Sequence, residues 1–144
     1  MLNSRGEFEP FKLLIGAVTA LLILTIIVST INYFDSLELD ISTERFYTGV
    51  KNAVNQPNDS VIAVAGVVMD KGMIISTAGL AERTGLKEGC FSFETNNSSQ
   101  YRIEGRSVTV LQKMQDDIYL KCRPGTDAAV CQIECSIGFG TVPS

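Results

Sequence analysis

Apolar and polar positions follow three different patterns along the chain. Residues 13–31 read LLIGAVTALLILTIIVSTI, nineteen positions without a charge. At 1.5 Å rise per residue, such a run crosses roughly 30 Å of hydrocarbon. Phe11, Tyr33 and Phe34 flank it with aromatic rings. A soluble helix apolar on every side needs a large core to hide it, and the roughly ninety residues left for a domain cannot supply one. The run therefore predicts a membrane-spanning helix. A cleaved secretory signal fits less well, because its apolar stretch is shorter and small residues follow it. Here Asn32, Tyr33 and Phe34 follow.

Past the span, Leu37, Ile41, Phe46, Val50, Ala53 and Val54 recur at helical spacing and predict an apolar stripe on one side of a continued helix. The expectation is one helix from Phe11 to about Asn55, stopped by Gln56-Pro57-Asn58-Asp59. A break near residues 40–42, with Ser42 or Thr43 capping a second helix, is the competing expectation. Farther on, the pattern becomes that of strands. Residues 61–69 (VIAVAGVVM), the turn Asp70-Lys71-Gly72 and residues 73–76 predict a hairpin. Residues 77–84 (TAGLAERT) predict a short helix capped by Ser76 or Thr77 and closed by Gly85. Strand candidates follow at 90–95, 101–104, 107–112, 118–122 and 130–139, each bounded by Gly, Asn, Asp or Pro. The fold class expected is α+β: a long N-terminal hydrophobic helix, then a small, mainly antiparallel β-sheet domain with one short helix.

Charge and composition narrow the chemistry. A net charge of −4, with lysines and arginines scattered, offers no basic surface to a phosphate backbone, so nucleic acid is not an expected partner. Histidine and tryptophan are absent, which removes the commonest general base and metal ligand. Neither an enzyme nor a bound cofactor is expected. Arg5 and Lys12 precede the span, while Asp35, Glu38 and Asp40 come first after it, ahead of Arg45 and Lys51. That bias places the N-terminus inside and the C-terminal domain outside.

An outside domain agrees with the four cysteines, Cys90, Cys122, Cys131 and Cys135, which are expected to form two disulfides. Three pairings are possible. The favoured one joins Cys122 to Cys131 across the RPGTDAAV loop and leaves Cys90 with Cys135. Zinc is disfavoured, since the nearest approach to closely spaced thiolate pairs is one C-x3-C. Asn58 (NDS), Asn96 (NNS) and Asn97 (NSS) are candidate glycan acceptors. Asp116 and Asp117 with Glu134 lack the spacing of a calcium loop and read as surface acids. Gly138 and Gly140 lack the strand-to-helix context of a phosphate loop and read as shaping a last strand. Within the span, Gly16, Ala17 and Ala20, with Thr19, Thr25, Ser29 and Thr30, are small or hydroxylated and suit close approach of another helix.

Ser4-Arg5-Gly6 followed by EFEPFKLLIGAVTALLILTIIVSTINYF resembles the N-terminus of archaeal type IV pilin-like proteins with a class III signal peptide. The resemblance implies that a prepilin-type peptidase cuts between Gly6 and Glu7, removing residues 1–6 as a leader and leaving the apolar helix in the mature subunit. It further implies a subunit held in the membrane before assembly, then packed against copies of itself through that helix, with sheet domains displayed outside a filament used in adhesion or cell contact. The domain plan is then a helix at 7–34, a helical extension or stalk at 35–57 and an extracellular β-rich domain at 58–144. Many bacterial members carry glutamate at the fifth mature position. Here Phe11 stands there, and Glu7 and Glu9 are the acids left to set register. The alternative expectation is a non-polymerising single-span membrane protein with an extracellular binding domain.

Overall fold

The computed structural model describes residues 10–144. Helix α1 (Pro10–Asn55) is continuous over 46 residues, so no break occurs at 40–42. Pro10 stands at its start, where a missing N–H costs nothing. Two compact units follow along the chain, residues 10–37 and Glu38–Ser144.

In the second unit, α1 buries Ser42, Phe46, Val50, Ala53 and Val54. The expected stripe is corrected at its start: Ile41 remains 52% exposed, and Ser42 takes the inward place. Steps of four and three residues from Val54 lead back through Val50 and Phe46 to Ser42, whereas Ile41 lies about 100° around the helix from its neighbour. Ser42 is thus a core-facing residue rather than a cap.

The remaining elements are β1 (Val61–Met69), β2 (Ile74–Ser76), α2 (Thr77–Thr84), a 3₁₀ turn (Glu88–Cys90), β3 (Phe91–Thr95), β4 (Tyr101–Glu104), β5 (Ser107–Val110), β6 (Met114–Pro124) and β7 (Ile133–Phe139). They make a four-stranded sheet of order β1-β6-β7-β3 and a three-stranded sheet of order β2-β5-β4. All pairings are antiparallel except β3 with β7. Helix α2 has the expected ends. The Ser76 side chain accepts from the Gly79 N–H, and Gly85 closes the helix at φ 78° with its N–H on the Ala81 carbonyl.

The expected hairpin does not form. Its turn exists, with the Met73 N–H on the Asp70 carbonyl at 3.1 Å and Gly72 at φ 86°. However, Gly72 donates to the Val110 carbonyl and Val110 donates back to Met73, so the turn docks on β5 and carries the chain from one sheet into the other. Val67, Val68 and Met69 are all buried, which marks the end of β1 as a strand covered on both faces rather than one arm of a two-faced ribbon.

The favoured disulfide pairing is also corrected. Cys90 bonds Cys131, and Cys122 bonds Cys135. Register decides it: Cys122 stands directly opposite Cys135 in the β6–β7 ladder, with Cα atoms 4.1 Å apart. Val130 and Cys131 both donate to the Asp127 carbonyl, so the chain is still turning there and β7 begins at Ile133 instead of 130. Cys131 therefore belongs to the loop and reaches Cys90 beside the start of β3, Cα to Cα 5.6 Å.

The core joins α1 to both sheets through Phe46, Val50, Ile75, Tyr101, Val108, Ile118, Leu120, Ile137 and Phe139, among others. Gly49 sets how closely the helix lies on the larger sheet. A Cβ there meets Val64 Cγ2 at 2.5 Å and Leu120 Cδ1 at 3.3 Å, and the β-branched valine has little freedom to yield.

Gly49→Val is expected to lower the unfolding free energy of the Glu38–Ser144 unit by about 1 to 3 kcal/mol through overpacking, read as a shift in denaturation midpoint. The intact protein should show no free thiol until reduced; four titratable thiols in unreduced, denatured protein exclude both bridges. In the loop-entropy account, removing Cys90–Cys131, which spans 41 residues, costs about 4 kcal/mol. Removing Cys122–Cys135, which spans 13, costs about 3 kcal/mol. Paired serine variants unfolded in guanidinium check that order.

Candidate assembly surface

Every residue from 10 to 37 is exposed. The large apolar side chains between Leu13 and Phe34 expose 47% to 64% of their surface, so this part of the chain covers none of them with itself. The helix is long and apolar enough to cross a membrane.

The three threonine side chains of this stretch are turned back on their own backbone. Thr19 donates to the Ile15 and Gly16 carbonyls at 3.0 Å, Thr25 to Leu22 at 2.8 Å and Thr30 to Ile26 at 2.7 Å. Each hydroxyl is thereby satisfied without water, and the rod presents hydrocarbon on its flanks. Gly16, Ala17 and Ala20 lie on this segment, and a Cβ built at Gly16 meets nothing within 4 Å. The fold of this chain thus places no steric demand for glycine at 16.

The sequence candidates fall in different places. Gly6, Glu7 and Glu9 lie outside the described residues. Asn58 occupies the turn between α1 and β1, while Asn96 and Asn97 occupy the turn between β3 and β4, all with exposed side chains. Asp116 and Asp117 sit near the start of β6, whereas Glu134 stands across from Arg123 near its far end, so the three acids do not converge. Among the described residues no group of three His, Cys, Asp or Glu side chains is placed to hold a metal ion.

Two polar features of the head are not foreseen in the sequence reading. Tyr101, 1% exposed, donates its hydroxyl to Asp116 Oδ2 at 2.8 Å. Burial, and then the hydrogen bond and negative charge of Asp116, push the tyrosine hydroxyl far above its ordinary value. Asp116 is consequently an anchor for a core side chain, not merely a surface acid. Its neighbour Asp117 accepts the Gly66 N–H at 2.8 Å, where β1 shifts register between Val64 and Val67. Arg45 caps the same bulge by donating to the Ala65 carbonyl at 3.1 Å. Gly66, at φ 62°, is the one local signal of that bulge, a glycine inside a strand pattern.

No family model, curated protein or solved structure matches the chain.

The Tyr101 environment has a pH signature. Its folded-state pKa lies above the unfolded value near 10.0, so its contribution is complete below pH 10 and is lost as pH rises beyond it. The slope attributable to this residue approaches ~1.4 kcal/mol per pH unit while only the unfolded chain ionises. Tyr101→Phe is expected to cost about 1 kcal/mol at pH 7 through the lost hydrogen bond and to flatten the stability profile above pH 10. Denaturant midpoints of both proteins from pH 7 to 11 check it.

Proposed function

We propose that this chain is a structural subunit of an archaeal type IV pilus-like surface filament that serves attachment or contact between cells. The observation that carries the reading is the uncovered hydrocarbon rod at residues 13–34, whose threonine hydroxyls are satisfied within the helix. In a membrane, lipid satisfies such a surface. In a fibre, the same helix of neighbouring copies satisfies it equally, and head-to-tail contacts that never close generate an open filament.

In this reading a prepilin-type peptidase releases residues 1–6, Glu7 and Glu9 set the register between neighbouring helices, and Gly16, Ala17 and Ala20 let those helices approach. The C-terminal domain lies outside the membrane, where its two disulfides persist. Nothing in the reading requires a catalytic group.

Intact mass of the purified protein is expected to correspond to a chain beginning at Glu7. Shearing cells should release the protein as filaments visible by electron microscopy; a protein that stays in the membrane pellet excludes assembly and leaves a single-span protein with an outside binding domain. Gly16→Leu should reduce filament yield several-fold while leaving the unfolding midpoint of the Glu38–Ser144 unit unchanged.

A further inference from the structure

The three Asn-X-Ser triplets look equivalent in the sequence, and the structure separates them. At Asn58, the side-chain oxygen accepts the Ser60 N–H at 3.1 Å and the Ser60 hydroxyl at 2.5 Å. Asn97 repeats the arrangement with Ser99, at 3.3 Å for the N–H and 2.6 Å for the hydroxyl. In both, the hydroxyl two residues on grips the amide oxygen, and the amide nitrogen is left without a protein partner among the described residues. Asn96 differs on two counts. Its amide nitrogen donates to Thr141 Oγ1 at 2.8 Å, and Ser98, the hydroxyl of its triplet, makes no bond to it.

These bonds differ in range as well as number. The Asn58 and Asn97 turns close within three residues, so they depend on no distant part of the head. The Asn96 contact spans 45 residues of sequence and exists only in the finished head. Asn97 has a turn with the hydroxyl of its own triplet and Asn96 has none, while the Asn96 nitrogen is occupied by Thr141. Both differences favour Asn97 over its neighbour.

We propose that Asn58 and Asn97 are N-glycosylation sites and that Asn96 is a structural residue. The co-substrate class is an oligosaccharide carried on a polyprenyl phosphate or diphosphate, delivered by an oligosaccharyltransferase. The amide nitrogen attacks the anomeric carbon of the first sugar, an N–C bond forms and the C–O bond to phosphate breaks. The electron pair leaves with the lipid phosphate, and the displaced amide proton goes to base. One sugar then stands at the turn before β1, an edge strand of the larger sheet, where its bulk impedes pairing with a foreign strand. The other stands on the β3–β4 turn.

The proposal rests on the head facing the outer compartment, so the test reads topology and sugar separately. The protein is purified from the cells that make it and mapped by peptide mass spectrometry, with fragmentation to tell Asn96 from Asn97. Sugar mass is expected on Asn58 and Asn97 and not on Asn96. Asn58→Gln or Ser60→Ala should each remove one mass increment, Asn97→Gln or Ser99→Ala the other, and Ser98→Ala neither. Bare peptides at both positions, or sugar on Asn96 with Asn97 bare, overturn it; sugar on one position alone overturns it for the other. In parallel, a membrane-impermeant amine reagent is applied to intact cells to label Lys71 and Lys87, both exposed on the head. Labelling with bare asparagines defeats the glycan proposal alone, and bare asparagines without labelling defeat it together with the outside placement.

Discussion

Hydrogen bonding within α1 satisfies nearly every backbone group along its length, which leaves the side chains to decide what surrounds each stretch. For residues 13–34 they specify hydrocarbon on all flanks, and even the threonine hydroxyls are returned to the helix's own carbonyls. From Ser42 to Val54 the helix becomes one-sided and enters the core of the head through Phe46, Val50 and Ala53. One secondary-structure element thus meets two surroundings. Among the described residues, every position of its first stretch, 10–37, stands exposed.

The head is small, and several devices compensate for its size. Gly49 lets the helix settle onto Val64 and Leu120, Tyr101 gives its ring to the core and its hydroxyl to Asp116, and two covalent bridges tie the last strand to β6 and the loop before it to the start of β3. Its charged side chains pair at the periphery, as between Arg123 and Glu134, where solvent makes such pairs weak. Stability in this unit therefore comes from close packing and covalent closure.

Local features are legible in the sequence. The apolar run, the stop at Gln56-Pro57, the caps of α2 and most strand positions depend on neighbouring residues alone, and α2 even ends at its foreseen glycine. Features that depend on distant partners are not legible. The turn at Asp70-Lys71-Gly72 can be read as a turn, but nothing nearby says that its hydrogen bonds go to Val110. The cysteine pairing fails for the same reason: spacing favours Cys122 with Cys131, while the β6–β7 register, set by the whole ladder, places Cys135 opposite Cys122. Ser42 shows the limit within one helix, where a polar residue replaces Ile41 on the inward face because the sheet fixes which face is inward. Of the candidate surfaces, the apolar rod and its small residues can be read directly, whereas the unequal hydrogen bonding of Asn96 and Asn97 depends on Thr141, far along the chain.

The two bridges cross in sequence order: Cys90 skips over Cys122 to reach Cys131, and Cys122 skips over Cys131 to reach Cys135. A peptide bond cut in any one of the three intervals between these cysteines leaves both resulting pieces tied together. Cuts in two different intervals still detach nothing, because every piece keeps a cysteine bonded to another piece. Had the bridges been nested, the segment holding the inner pair would fall away after two cuts. The crossed arrangement gives the head the connectivity of a link chain, in which a nicked polypeptide remains one molecule.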